Sequence, residues 1–294
     1  MRIPLRPISL LLVPALLFWA EASAQQSQPA STADSTAAVP SLAKLAKQLN
    51  NPLTSVWNYS FQNNLYLLNG APSTELRGQY VFDLLPTLPV PLTPEWNLIT
   101  EPSIPFLVSP DLGPDGWDQV SGFGDIGLTT ILSATSKSAF EWGVGPTFIF
   151  PTASSDALGQ GKWQFGPAVV GLYIAPKWMG GIFVQQWWGS TGDDTRANTN
   201  QMDLQYLFFW FLPKHWQVGM SPNVLVDWTA SDGNKLTLPI GLNIGNTFPI
   251  GKTAMQITFE PQYMVVHPDD FGQRWNFRLV FQPATRELVK KPIF

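Results

Sequence analysis

The chain has 294 residues, 13 Trp and 19 Phe, no Cys, and only 13% charged residues. Without cysteine there is no disulfide framework, thiolate metal site or thiol nucleophile. A net charge of −4 offers no basic surface to a nucleic acid. Mean hydropathy is close to zero, and past the N-terminus no apolar run approaches the roughly 20 residues that a spanning helix needs.

Arg2 and Arg6 precede an apolar stretch from Ile8 to Trp19, interrupted once by Pro14, and Ala22-Ser23-Ala24 follows. This order predicts a cleavable signal peptide over 1–24, and with it passage through an export machinery. Residues 25–40 are Gln, Ser, Thr, Ala and Pro, the composition of a linker. From Ser41 a short helix is expected, with Leu42, Leu45, Ala46 and Leu49 on one face, ended by Asn51-Pro52. The segment 25–53 is therefore a linker plus helix, either a periplasmic lead-in or a plug for a barrel mouth.

From residue 54 to 282 the chain alternates apolar and polar residues in about a dozen stretches. Strands are predicted at 54–66, 74–85, 95–108, 122–133, 139–150, 163–175, 178–189, 200–212, 216–228, 235–248, 253–266 and 274–282. Phe140, Trp142, Val144, Phe148 and Phe150 share one parity, as do Met202, Leu204, Tyr206, Phe208 and Trp210. Trp275, Phe277, Leu279 and Phe281 repeat the pattern, and Trp216 and Trp228 mark the two ends of one strand. The sixth and seventh strands have no clear phase. The connections alternate between polar loops (67–73, 109–121, 151–162, 190–199, 229–234, 267–273) and tight turns (134–138, 176–177, 213–215, 249–252), the Pro-rich stretch 86–94 being the exception. An even strand count, alternating loop lengths and aromatic strand ends predict an all-β, transmembrane, antiparallel up-and-down barrel of about twelve strands. A tail, 283–294, follows it. The rival all-β reading is a β-sandwich, which would carry more charge on its outer face.

Pro102, Pro105, Pro146, Pro167, Pro222, Pro239 and Pro261 fall inside predicted strands. Proline cannot donate to a ladder, so each should mark a bulge, kink or boundary. A break near Pro102, Pro146 or Pro167 could open the wall towards lipid; an unbroken ladder at all three would exclude that.

Charges cannot face lipid cheaply, so mid-strand ones are expected in the lumen. The set is Asp83, Glu101, Asp125, Glu141, Asp203, Asp227 and Glu260, with Arg77, Arg274 and Arg278. Either these pair and fill the interior, or they line a passage whose acidic bias favours cations or neutral solutes. Twelve strands permit a narrow passage or a site for one small ligand. His267 with Asp269 and Asp270 is the one cluster that a hydrolase reading could use. Asp193-Asp194, and Asp111 with Asp115 and Asp118, lack the register of a calcium loop. Leu158-Gly159-Gln160-Gly161-Lys162 lacks the strand–helix setting of a phosphate loop. No catalytic residue, metal ligand or cofactor is assigned.

Several segments resemble the bacterial outer-membrane barrel family named for a role in the meta-pathway of phenol degradation, some of whose members carry the unrelated label neuromedin U. They are Leu42-Ala43-Lys44 to Pro52, Ser60-Phe61-Gln62-Asn63-Asn64, Glu95 to Thr100, Gly122 to Ile126, Trp142 to Thr147 and Leu158 to Trp163. The resemblance implies a Gram-negative outer membrane, with lipid and the barrel-assembly machinery as partners. It also implies passive transport of small solutes, aromatic or hydrophobic ones among them. The rival functions are a closed barrel serving as anchor or interaction surface, and an outer-membrane hydrolase.

Overall fold

The computed structural model describes residues 41–285 except 72, 114–115 and 136–137, together with 289 and 291–294. The expected signal peptide (1–24) and linker (25–40) lie outside the described residues. The first described element is a helix, α1 (Leu42–Gln48), whose first turn is capped by the Ser41 hydroxyl accepting the Lys44 N–H at 3.3 Å. Strand segments follow: β1 (Asn58–Gly70), β2 (Ser73–Pro91), β3 (Trp96–Gly113), β4 (Gly116–Phe123), β5 (Ile126–Ala134), β6 (Phe140–Phe150), β7 (Lys162–Ile174) and β8 (Trp178–Gly192). The remainder are β9 (Thr199–Phe211), β10 (Trp216–Met220), β11 (Asn223–Asp227), β12 (Leu236–Gly241), β13 (Asn243–Ile250), β14 (Thr253–Val266) and β15 (Gly272–Pro283).

The fifteen segments make twelve staves, because three staves are broken once. The breaks fall at Gly124-Asp125 between β4 and β5, at Ser221-Pro222 between β10 and β11, and at Leu242 between β12 and β13. Adjacent staves run antiparallel, and β15 returns to β1, with Leu65 opposite Phe277, so the sheet closes into a barrel. The barrel reading holds and the sandwich does not.

Several boundaries differ from expectation for physical reasons. The first strand starts at Asn58 and not at 54, because Asn51 Oδ1 takes the Leu53 N–H (2.7 Å) and Thr54 Oγ1 takes the Val56 N–H (3.1 Å). Such local side-chain bonds compete with a ladder. The Pro-rich stretch 86–94 is strand as far as Pro91, so the connection to β3 is a tight turn and the exception in the loop alternation disappears. The expected loops 67–73 and 109–121 are largely strand, since β1–β2 and β3–β4 continue as hairpins. β2 has 19 residues and β3 has 18, well beyond the 9–11 that span a bilayer, so these hairpins stand proud of it. The tail folds back: the N–H groups of Ile293 and Phe294 donate to the carbonyls of Pro91 and Leu92.

The outer face follows the predicted parity. Phe140, Trp142, Val144, Phe208, Trp210, Trp275 and Phe281 are exposed, and so are Trp216 and Trp228. Aromatic rings meet near both rims, Trp96 with Trp142 edge-to-face at 6.1 Å at the turn end and Phe150 with Trp163 at 5.6 Å at the loop end. These are the positions of interfacial girdles. β7 and β8 lacked phase because both their faces are apolar. Trp163, Phe165, Val169 and Tyr173 point out, while Ala168, Val170, Leu172, Met179 and Phe183 point in. The inward set packs with Ile99, Ile131, Leu207, Phe209 and Leu53 into an apolar cluster inside the barrel.

The prolines shape the wall. Pro222 lies at a stave break, and the register slips between Leu238 and Pro239. Tyr206 O–H reaches across that region to the Pro239 carbonyl at 2.5 Å, so a carbonyl freed in the wall is not left bare. At Pro102, Pro146 and Pro167 the strands keep register, but the ladder is interrupted. The pairings miss 85–87 against 101–103, 130–131 against 145–146, and 166–167 against 186–187. At two of these sites a glycine precedes the proline and faces inward. A Cβ on Gly145 would lie 1.8 Å from the Thr130 carbonyl oxygen, and one on Gly166 would lie 1.8 Å from that of Gln186. The neighbouring strand therefore rolls inward over each glycine and closes the gap by backbone contact. At Pro102 no glycine does this; Pro86 and Pro102 fall opposite one another and neither has an N–H to give.

Candidate functional site

The inward parity of the staves collects amides, hydroxyls and carboxylates around a cavity of about 460 Å³ in the lumen. Asp83, Glu101, Asp125, Asp203 and Arg278 line it, together with Asn64, Thr129, Thr147, Gln185, Asn223 and Gln262. Much of the wall is knitted by side chains. The Thr129 and Thr147 hydroxyl oxygens lie 2.9 Å apart and each lies within hydrogen-bond distance of Gln185 Oε1, at 2.6 and 3.0 Å, so two protons serve three contacts. Trp187 Nε1 donates to Thr147 Oγ1 at 3.1 Å, which fixes the ring inward.

The sequence-predicted charges divide into three groups. Asp83, Glu101 and Asp203 face the cavity with neutral partners. The Ser103 hydroxyl donates to Asp83, the Thr87 hydroxyl to Glu101, and the Asn223 amide to Asp203. The first two bonds cross the β2–β3 interruption on its lumen side.

A second group repairs broken staves. Glu260 is fully buried and Arg278 is 7% exposed; Arg278 Nη2 donates to Glu260 Oε2 at 2.8 Å. Glu260 accepts the Ser221 N–H and hydroxyl, each at 3.0 Å, and Arg278 donates to the Ser221 carbonyl at 2.7 Å. The pair thus supplies the partners that the β10–β11 break removes from the ladder. At the β4–β5 break the Asp125 carboxylate serves the loop instead, accepting the N–H groups of Ala153 (3.0 Å) and Gln160 (2.7 Å) and tying the 151–161 loop to the wall.

The third group lies outside the cavity lining. Glu141 accepts from Asn51 at 2.8 Å. Asp227 holds a turn through the Thr229 N–H and hydroxyl, at 2.9 and 2.6 Å. Arg77 meets Glu75 at 3.3 Å, and Arg274 donates to Asn69 near the loop end.

What the pattern of charges did not reveal is how residues 41–57 fill the turn end of the lumen. Asn50 and Gln217 exchange two amide hydrogen bonds, at 2.7 and 2.9 Å. Gln256 Nε2 donates to the Ala46 carbonyl (3.3 Å) and Gln282 Nε2 to that of Leu49 (3.0 Å). Lys47 Nζ donates to the carbonyls of Ala175 and Pro176 in a turn and lies 5.5 Å from the Phe211 ring centroid. Its pKa is lowered by partial burial. Leu53 completes the inner apolar cluster. Inward amides on β10, β14 and β15 were the available signal, since an amide buried in a barrel needs a partner.

The remaining motifs are structural. His267 Nδ1 lies 3.1 Å from the Pro268 carbonyl, and Asp270 is engaged by Asn234 at 2.9 Å. Asp193 accepts the Thr195 hydroxyl and N–H, which hold its carboxyl below the usual range. Gly161 closes the 151–161 loop with a φ of +68°. Asp115 lies outside the described residues, and Asp111 sits opposite Asp118 in the β3–β4 hairpin.

No family model matches the chain, and no curated protein matches it in sequence. Among solved structures it is similar to the COG4313 outer membrane channel from Pseudomonas putida F1, at 18% identity and a TM-score of 0.57 over 78% of this chain and 93% of that one. It also aligns with the NanC porin, at 10% identity and a TM-score of 0.48 over 78% of this chain and 99% of that one. An alignment with the outer membrane phospholipase of Salmonella typhi has 12% identity and a TM-score of 0.38, over 85% of this chain and 100% of that one. The first of these likenesses is one of fold, and the fold is that of outer-membrane β-barrels.

Proposed function

We propose that this protein is an outer-membrane channel that admits small molecules by passive diffusion. The observation that carries the reading is the polar cavity of about 460 Å³ enclosed by a wall that is apolar outside. A passage must bind its solute weakly enough to release it, and single hydroxyl and amide contacts on separate staves suit that. Reconstituted in liposomes, the protein is expected to accelerate swelling for some members of a panel of phenols, sugars and amino acids. Absence of both swelling and bilayer current, in the parent and in a variant lacking residues 25–50, would end this reading in favour of a closed barrel acting as an anchor. The hydrolase alternative has no assembled nucleophile among the described residues to support it.

A second route is favoured by the β2–β3 interruption, where the wall is held on the lumen side by Ser103–Asp83 and Thr87–Glu101. An apolar solute could leave the lumen there for the lipid. The native chain has no cysteine, so Leu85→Cys with Ser103→Cys places a unique pair across the seam. If the seam is a route, oxidation should slow uptake of an apolar phenol and reduction should restore it; equal rates in both states would dismiss the route.

A further inference from the structure

We propose that the turn end of the barrel carries a docking arc for anionic phospholipid of the periplasmic leaflet, whether or not the lumen conducts. Short turns face the periplasm in bacterial barrels. Three consecutive tight turns, β7–β8, β9–β10 and β13–β14, each present one lysine: Lys177, Lys214 and Lys252. All three are exposed, and among the described residues none takes part in an ion pair. The exposed acids gather elsewhere. Asp156, Asp193, Asp194, Asp232, Asp269 and Asp270 stand on loops at the opposite end. Glu95 belongs to the turn between β2 and β3, where the N–H of the terminal Phe294 also bonds the Leu92 carbonyl. The rim from β7 to β14 is therefore a basic arc.

The level of these lysines fits a lipid headgroup. Trp210 and Trp216, 41% and 48% exposed, flank the Lys214 turn. Trp178 follows Lys177 directly and stacks with Tyr173 at 5.4 Å and Phe208 at 5.8 Å. Such rings mark the edge of the hydrocarbon. The headgroup layer extends roughly 5–7 Å beyond that edge, and a strand rises about 3.3 Å per residue. A lysine one or two residues past a Trp thus reaches the phosphates. Leu212 and Ile250, two residues before Lys214 and Lys252, are exposed as well. A soluble acidic partner would have no use for them, whereas a phospholipid brings an apolar tail beneath an anionic head.

A separate observation comes from the backbone of the β9–β10 turn. Lys214 and His215 take φ values of 57° and 63°, and among the described residues no others but glycines have positive φ. Left-handed backbone disfavours any residue with a Cβ. Tight turns that need it normally use Asn and Gly. The Asn246 amide secures the turn by donating to the Lys214 carbonyl at 3.0 Å. Two long polar side chains held there against the preference of the backbone point to a use on the surface.

Tryptophan quenching in liposomes tests this, with dibrominated phosphatidylglycerol and dibrominated phosphatidylcholine as rival quenchers at low salt. A lysine near the surface strengthens binding of an anionic bilayer about fivefold. Averaged over all the lipids around the barrel, the full chain is expected to prefer phosphatidylglycerol by about twofold or more. High salt screens exposed charges and should abolish that preference. Lys177→Gln, Lys214→Gln and Lys252→Gln together should bring the two lipids to parity, while Arg at the same three positions should keep the preference. Lys235→Gln, at the loop end, should change nothing. Gel mobility before and after heating checks each variant for folding. Parity of the two lipids in the parent overturns the proposal. So does a preference that survives high salt or the folded triple Gln variant, or one lost in the folded triple Arg variant.

Discussion

Replacing Arg278 with Met is expected to destabilise the barrel more than any other single change to a lumen charge. The guanidinium is 7% exposed and its partner Glu260 is fully buried. Removing one partner of a buried pair strands the other charge, at a cost of about 3–5 kcal/mol. Here the loss goes further, because Arg278 also holds the Ser221 carbonyl where the stave is broken. The double variant Arg278→Met, Glu260→Met should recover only part of the loss, since the N–H and carbonyl of Ser221 then have no substitute partners. Asp227→Asn, at an exposed turn, should change little. The measurement is the urea midpoint for loss of the heat-modifiable barrel in micelles; a parent-like midpoint for Arg278→Met would refute the argument.

Deleting residues 41–53 should raise single-channel conductance in planar bilayers at least tenfold. The segment spans the turn end of the lumen and is held by the paired Asn50–Gln217 amides, by Gln256 and Gln282 on its carbonyls, and by Asn51 on Glu141. Each is a neutral or singly charged hydrogen bond with a net worth of about 0.5–3 kcal/mol, so the latch is graded. Asn50→Ala with Asn51→Ala should give brief openings in an otherwise quiet record, between the behaviour of parent and deletion. Equal currents from all three proteins would show that the segment does not obstruct the path.

The outward side of the barrel was legible in the sequence wherever one face is apolar and the other polar. Trp142 and Val144 on β6, or Trp275 and Phe281 on β15, need only period two to be placed. Where Leu172 faces in and Tyr173 faces out, period two carries no contrast, and the inner apolar cluster stayed hidden. Charge alone could say that Glu260 and Arg278 avoid lipid, but not that they stand in for backbone groups lost at Ser221. That role depends on Pro222 and on two staves brought beside it by closure. The Pro-rich 86–91 stretch read as a loop because proline opposes a ladder; facing Pro102, Pro86 is tolerated at a place where the ladder itself is missing.

The contacts of the N-terminal segment also set an order of events. Its amide anchors, Gln217, Gln256 and Gln282, come from β10, β14 and β15, the end of the chain that leaves the export path last. The Gln282 side chain bonds both Leu49 and Asn58, and Thr285 N–H bonds the Trp57 carbonyl, beside the seam where β15 meets β1. Residues 41–57 must therefore wait for the last strands before they can settle. Docking of the segment and closure of the barrel are thus coupled, and neither is complete without the other.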